Sequence, residues 1–121
     1  MALYPQSDFV DNIFNLISAI GLFYNGIEIG AGTNYSRISI TPANHLQVTS
    51  DANNYYISNK VQLSFVQATA DWGNFNQIGI FAGTTPVLWF LIDVPLRAVR
   101  ANDQVFIEIG NLQITIPKSI S

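Results

Sequence analysis

The chain has 121 residues, of which 49% are hydrophobic and only 11% are charged, against about 25% charged in an average soluble protein. It has no cysteine, which excludes disulfides, thiolate metal sites and a thiol nucleophile. Its net charge of −3 argues against nucleic acid or an anionic membrane surface as partner, because both need a basic surface. So much apolar surface with so little charge indicates an oligomer or a subunit of a larger assembly.

The first six residues predict a short extended arm, because Pro5 disfavours a helix in the residue before it. The arm carries Leu3 and Tyr4, which are candidates for packing on a neighbouring subunit; a frayed terminus is the alternative. It has no Lys or Arg, so we expect no signal peptide. Residues 87–92 are the longest glycine-free apolar run and fall far short of the roughly 20 residues of a membrane span. We therefore expect a chain located in the cytoplasm in which it is made, and not bound to a membrane.

Residues 7–20 predict an amphipathic helix. Ser7 or Asp8 can cap its start, and Gly21 can take the left-handed conformation that ends it. Apolar residues recur between these points at helical spacing; they are Phe9, Val10, Ile13, Phe14, Ile17 and Ile20.

After Gly21 the hydrophobic period changes from that of a helix to that of strands. Residues 37–41 and 61–65 alternate between apolar and polar side chains, which predicts half-buried strands. Residues 77–81 and 87–92 are almost continuously apolar, which is typical of strands buried on both faces.

Two further strand-like runs, residues 104–109 and 112–116, are separated by Gly110-Asn111, which predicts a two-residue hairpin. Short strands with turn residues at this spacing favour a mainly β fold. We expect an antiparallel β-sandwich or barrel, of jelly-roll or immunoglobulin-like type, with one N-terminal α-helix. Residues 7–121 form a single domain in this interpretation.

Few residues in the chain fit a catalytic site. His45 is the only histidine, so one chain cannot supply a histidine pair for zinc. Gly30-Ala31-Gly32 resembles the start of a dinucleotide loop but leads into a strand instead of a helix. Nothing favours a glycosidase pair such as Asp71 with Asp93. We expect no catalytic residue, no cofactor and no metal.

Aromatic side chains offer a binding alternative. Trp72 and Trp89, with Tyr35, Tyr55 and Tyr56, can form a platform for a sugar or a partner surface. The same residue types also build sandwich cores, and core packing is the interpretation we favour.

Arg97 and Arg100 lie three residues apart, which places them on opposite faces of a strand. One of them can reach a carboxylate of a neighbouring subunit; a solvated edge charge is the alternative.

Four stretches occur in an order and spacing similar to those of a known family. They are Glu28 with Gly32, Tyr35 and Arg37; residues 61–65; Trp72-Gly73 running into Gly79-Ile80-Phe81; and residues 99–115. In this arrangement the chain resembles small virion proteins of tailed bacteriophages, labelled tail-fibre-like or capsid cement proteins. Residues 22–27 and the turn at residues 82–85 are shorter than in that family, which leaves head or tail open.

The resemblance implies a structural virion subunit without catalysis. We expect a capsid cement (decoration) protein on the surface of the phage head, with the major capsid protein and itself, as a homotrimer, for partners. A tail or tail-fibre subunit and a carbohydrate-binding sandwich are the alternatives. The expected assembly residues are Leu3, Tyr4, Tyr35, Arg37, Arg97 and Arg100, and the expected core and turn motif is Trp72, Gly73, Gly79 and Phe81.

Overall fold

A computed structural model describes residues 7–118 of the chain. The predicted arm of residues 1–6, including Leu3 and Tyr4, lies outside these described residues. The chain divides into two compact units, each assembled from separate stretches of sequence. The first unit contains α1 and the stretches 41–63 and 107 onward, and the second contains residues 18–40 and 64–106. The single domain over residues 7–121 stays a prediction.

Most of the described residues that have regular structure belong to strands. In chain order the elements are α1 (Ser7–Leu16), β1 (Ile17–Tyr24), β2 (Ile27–Glu28), β3 (Ile38–Ser39), α2 (Pro42–His45), β4 (Leu46–Ser50), β5 (Asn54–Asn59), β6 (Leu63–Ser64), β7 (Gly73–Ala82), β8 (Val87–Val99), β9 (Phe106–Ile107) and β10 (Gln113–Pro117).

The first unit contains a three-stranded antiparallel sheet in the order β10-β5-β4. Ile57 in the central strand lies opposite Val48 on one side and Ile114 on the other. Helix α1 packs against α2 and β4. The apolar residues buried in this unit include Val10, Leu46, Ile57, Leu112 and Ile114.

The second unit contains a sheet in the order β2-β1-β7-β8, with β3 also paired to β1. Strand β1 is buried along most of its length, as is the second half of β7. The most deeply buried side chains of this unit are Ile20, Leu22, Phe65, Ile80 and Val99.

The predicted fold class, mainly antiparallel β with one N-terminal α-helix, is confirmed. In residues 7–118 the sheets are open and do not close on themselves. The short α2 was not predicted. It begins at Pro42, a residue well suited to the first turn of a helix.

The helix predicted over residues 7–20 is shorter, and ends at Leu16. From Ile17 the chain is the strand β1, in which Ala19 and Ile20 pair with Ser39 and Ile38. A strand that is buried on both faces is apolar at nearly every position, so its apolar residues also occur at helical spacing. The hydrophobic period alone therefore does not distinguish such a strand from a helix. Neither helix of residues 7–118 is long and apolar enough to cross a membrane.

The hairpin predicted at Gly110-Asn111 is wrong. The strand before it, β9, pairs with β6, and the strand after it, β10, pairs with β5. The two-residue hairpin occurs instead at Asn25-Gly26, between β1 and β2. Both residues have positive φ, 48° and 86°, which is the geometry of a type I′ turn.

Candidate functional site

The exposed strand β8 is the most unusual surface of the second unit. Its residues 87–92 were predicted to be buried on both faces, and this prediction is wrong. Strand β7 takes the buried position, whereas β8 is exposed along most of its 13 residues. Residues 77–81 of β7 and 87–92 of β8 are similarly apolar. Of these two strands, β7 has a neighbouring strand on each side, whereas β8 has one on a single side within residues 7–118.

Five successive apolar side chains of β8 face solvent. Their exposed fractions are 60% for Val87, 37% for Leu88, 39% for Trp89, 39% for Phe90 and 38% for Leu91. Successive residues of a strand point to opposite faces, so the exposure covers both faces of the sheet. Apolar surface of this extent is typical of a site that binds another protein, a membrane or a ligand.

Strand β8 also lies at the end of its sheet. In the described part of the chain it is hydrogen-bonded to β7 alone. The pairing shifts register between Ile80 and Phe81, where Trp89 is the extra residue of a β-bulge. A long apolar edge strand offers unpaired backbone groups with which another chain can pair.

The two predicted arginines lie at the far end of the exposed strand. Arg97 lies in β8 opposite Phe75, and Arg100 follows the strand; both are exposed. Leu96 beside them is 63% exposed. The carboxylate of Asp93, also on β8, accepts a hydrogen bond from Gln77 at 3.1 Å.

Tyr35 and Arg37, also predicted as assembly residues, meet at Glu28. The Tyr35 hydroxyl donates to Glu28 Oε2 at 2.7 Å and accepts from the backbone N–H of Leu22 at 2.9 Å. Arg37 donates from Nε and Nη2 to the two carboxylate oxygens at 2.9 and 2.8 Å. Its guanidinium also lies 3.8 Å from the centroid of the Phe81 ring. We call Glu28, Tyr35 and Arg37 the carboxylate network; its bonds join β1, β2 and the segment before β3.

Opposing effects act on the ionisation of this network. Burial alone would raise the pKa of Glu28, but the hydrogen bonds from Arg37 and Tyr35 and the charge of Arg37 together hold that pKa below its usual value. Burial, followed by the hydrogen bond to Glu28, raises the pKa of Tyr35. The phenol therefore keeps its proton as a donor, and the carboxylate stays ionised at neutral pH.

We expect Glu28→Gln to remove a contribution to stability that depends on pH. Because the pKa of Glu28 is lowered on folding, its contribution is present above the unfolded value of 4.5 and is lost as pH falls through the folded value. The variant should therefore be less stable than the native chain at pH 7, and the difference should shrink below about pH 4. Urea unfolding at pH 7 and pH 3 measures this difference.

Asp11→Asn is the control for this prediction, because Asp11 is an exposed carboxylate on α1. It should change the free energy of unfolding by less than about 0.5 kcal/mol at pH 7. A Glu28→Gln deficit that is equally large at pH 7 and pH 3 would show that the loss is one of packing and not of charge.

The motif residues around Trp72 belong to the interior of the second unit. Trp72 is 4% exposed, and its indole N–H donates to Asn34 Oδ1 at 2.9 Å. Its ring meets that of Tyr35 edge to face at 5.2 Å. Gly73 has a φ of 101°, which a side chain would strain.

Gly79 lies on β7 beneath the ring of Phe23, which occupies the space that a Cβ would need. Phe81, two residues on, is 4% exposed and also contacts Phe23, with ring centroids 5.9 Å apart. The close approach of an aromatic ring explains a glycine inside this strand.

The aromatic residues suggested as a sugar platform lie in separate places. Trp72 contacts Tyr35 inside the second unit, and Trp89 contacts Phe90 on the exposed strand at 6.1 Å. Tyr55 and Tyr56 belong to β5 in the first unit. Trp72 is too buried to stack on a sugar, so a carbohydrate role would depend on Trp89.

The remaining candidate, His45, has a local structural role. Its Nδ1 accepts a hydrogen bond from the backbone N–H of Thr41 at 2.9 Å, across the short helix α2. Within residues 7–118 no group of three or more His, Asp or Glu side chains is arranged to hold a metal ion.

An open antiparallel sheet that ends in a long exposed apolar strand is typical of a subunit that assembles with other protein chains. Residues 25–115 match the family model described as Podophage GP4 fiber I protein gp80. The match covers most of the chain, which therefore belongs to this family and is a structural virion protein of a tailed phage. No curated protein and no solved structure matches the chain.

Proposed function

We propose that the chain is a fibre-associated structural subunit of the virion, which assembles through the exposed strand β8. The observation that carries the proposal is the run of five apolar side chains on an unpaired edge strand. The matching family is described as a fibre protein, which supports a location at a fibre. The proposed role is non-catalytic.

The capsid cement role predicted from the sequence is the second candidate. It uses the same surface, because a decoration protein also buries apolar area against neighbouring subunits. A cement protein stabilises the shell by binding only its assembled form. The two roles differ in the number of copies per particle, since a cement protein covers the head and a fibre subunit occupies few positions.

Quantitative mass spectrometry of purified virions measures that number against the major capsid protein. A ratio far below parity supports the fibre-associated subunit. A ratio near parity supports the cement protein and would overturn the fibre location. Absence from the virion would overturn both roles.

We expect Trp89→Lys to prevent incorporation into virions while leaving the fold intact. Trp89 is 39% exposed and contacts Phe90 on the proposed assembly surface. A lysine there places a charge where a partner would bury apolar area, at a cost of several kcal/mol. The measurement is the amount of variant protein in purified particles after complementation, compared with the native chain.

Ile109→Lys is the matched control, because Ile109 is 64% exposed and lies in the first unit. It should incorporate normally. Equal incorporation of Trp89→Lys and the native chain would exclude β8 as the assembly surface. A thermal melt of both purified variants shows whether each is folded.

A further inference from the structure

The exposed strand β8 carries two opposite charges four residues apart. Asp93 and Arg97 are both exposed, and they lie opposite Gln77 and Phe75 of β7. Those two β7 residues are two positions apart, so they point to one face of the sheet, and Asp93 and Arg97 share that face.

Neither charge is neutralised within the described part of the chain. The ion pair found in residues 7–118 joins Arg37 to Glu28. Asp93 accepts one hydrogen bond from the neutral Gln77, and no carboxylate of the described side chains lies within 4 Å of the Arg97 guanidinium. Asp93 and Arg97 thus place opposite charges on one face of the edge strand, a pattern that an antiparallel copy of the same strand complements.

We propose that β8 pairs edge to edge with β8 of a second copy of this chain, antiparallel about a two-fold axis at Pro95. This inference rests on the proposed role of β8 as an assembly surface and names its partner. Asp93 of each copy then lies opposite Arg97 of the other.

Antiparallel symmetry determines this register. Two residues lie opposite each other across a two-fold axis when they are equally far from it, and Asp93 and Arg97 are each two residues from Pro95. The contact is isologous, so the ion pair forms twice. Opposite charges in direct cross-strand pairs stabilise a sheet, and like charges destabilise it. A shift of this register by one residue would remove both ion pairs.

Pro95 is compatible with a position on the axis. It lies in the stretch 94–96, which stands opposite a single β7 residue where the register shifts between Phe75 and Gln77. Proline is accepted at bulges and on edge strands. In an antiparallel pair, the non-hydrogen-bonded positions need no N–H between the two opposed residues.

The apolar residues near the axis also match across the proposed pair, because Val94 of each copy lies opposite Leu96 of the other. Apart from the two ion pairs, every pair that this register forms within residues 91–99 joins two apolar residues. The exposed residues 87–90 lie beyond this paired segment, opposite residues 100–103, which follow the strand.

A charge-swap series on the purified full chain tests the register. Asp93→Arg and Arg97→Asp each replace two ion pairs by two like-charged contacts, and each should weaken self-association at least about tenfold. The double variant Asp93→Arg/Arg97→Asp restores both pairs with the signs exchanged, so it should associate as the native chain does. Sedimentation over a range of concentrations measures the association.

Asp11→Arg is the control for the charge change, and should leave the association constant unaltered. Rescue in the double variant is expected only where the two residues of one copy meet those of another. Association that stays weak in the double variant would overturn the register. A native chain that is monomeric at high concentration, or trimeric as the sequence suggested, would overturn the two-fold pairing.

A cysteine on the axis gives a second, independent test, because the native chain has none. Under mild oxidation Pro95→Cys should form a disulfide-linked dimer, since opposed residues have Cβ atoms about 4.5–5.5 Å apart. Thr84→Cys, in the turn between β7 and β8, is the control and should stay unlinked. A Pro95→Cys protein that is no more cross-linked than the control would overturn the proposal.

Failure of this pairing is distinguishable from failure of the proposed function. If β8 binds a different virion protein, the charge-swap series leaves the purified chain unchanged, whereas Trp89→Lys still prevents incorporation into virions. If β8 is not an assembly surface at all, incorporation is unaffected as well.

Discussion

Replacing Asn59 by alanine is expected to lower the free energy of unfolding by about 3–5 kcal/mol, because it removes several hydrogen bonds to buried groups at once. Asn59 is 0% exposed at the end of β5. Urea unfolding of the native chain and of Asn59→Ala measures the change.

The side chain of Asn59 satisfies the backbone on both of its sides. Its Nδ2 donates to the carbonyls of Val61 at 2.9 Å and Glu108 at 2.8 Å, with a longer contact of 3.4 Å to Ile107. Its Oδ1 accepts from the N–H of Leu112 at 3.0 Å. Alanine removes these bonds from the N–H of Leu112 and the carbonyl of Val61, whereas the carbonyl of Glu108 keeps its bond from the N–H of Asn111 at 3.0 Å. Each buried unsatisfied group costs about 1–3 kcal/mol.

Asn111→Ala is the matched control, since Asn111 is an exposed asparagine in the adjacent loop. It should change stability by less than about 0.5 kcal/mol. If Asn59→Ala were equally mild, water would be replacing the lost bonds, and the segment 107–112 would not depend on this side chain.

Asn59 also explains why the hairpin predicted at Gly110-Asn111 does not form. The N–H of Gly110 donates to the carbonyl of Asn59 at 3.0 Å, and the N–H of Asn59 donates to the carbonyl of Leu112 at 3.2 Å. The loop is therefore bonded to a residue about 50 positions earlier in the chain. Local turn preference predicts a hairpin there, but it contains no information about this distant partner.

The hairpin that does form was visible in the sequence. Asn25-Gly26 is the strongest short signal for a two-residue hairpin, and it lies between two apolar stretches. It was missed because the helix was extended through Ile20. Because the start of β1 was assigned to the end of the helix, no strand was predicted before this turn.

The exposed strand shows a different limit of prediction. Residues 77–81 and 87–92 are both apolar, and each composition fits a strand with two buried faces. The order β2-β1-β7-β8 decides which of the two lies at the edge, and that order depends on long-range pairing. The sequence could therefore predict the strand β8 and its many apolar residues, but not that these residues would be exposed to solvent.

The carboxylate network was partly predictable. The resemblance placed Glu28, Tyr35 and Arg37 in one motif, and the structure brings their side chains together. Their bonding to one another within the chain was not predicted, since it needs the turn that folds residues 28–37 back on β1. Their role in assembly stays a prediction.

Trp72→Ala is expected to lower the free energy of unfolding by about 3–5 kcal/mol, the range for removing a buried Trp or Phe side chain. Trp72 is 4% exposed and its ring contacts Tyr35. Its N–H donates to Asn34 Oδ1, which also accepts from the N–H of Thr69 at 3.0 Å. Urea unfolding measures the loss.

Two further variants test the cause of this loss. One separates the packing of the Trp72 ring from its hydrogen bond, and the other compares the buried Trp72 with the exposed Trp89. Trp72→Phe keeps most of the apolar volume and loses the N–H, so it should cost clearly less than alanine, because Asn34 Oδ1 retains its bond from Thr69. Trp89→Ala removes the exposed tryptophan, and should change the stability of the monomer by less than about 1 kcal/mol. Equal losses for Trp72→Ala and Trp89→Ala would mean that β8 is buried within the folded chain. The exposed strand would then be part of the core, and its proposed use in assembly would fail with it.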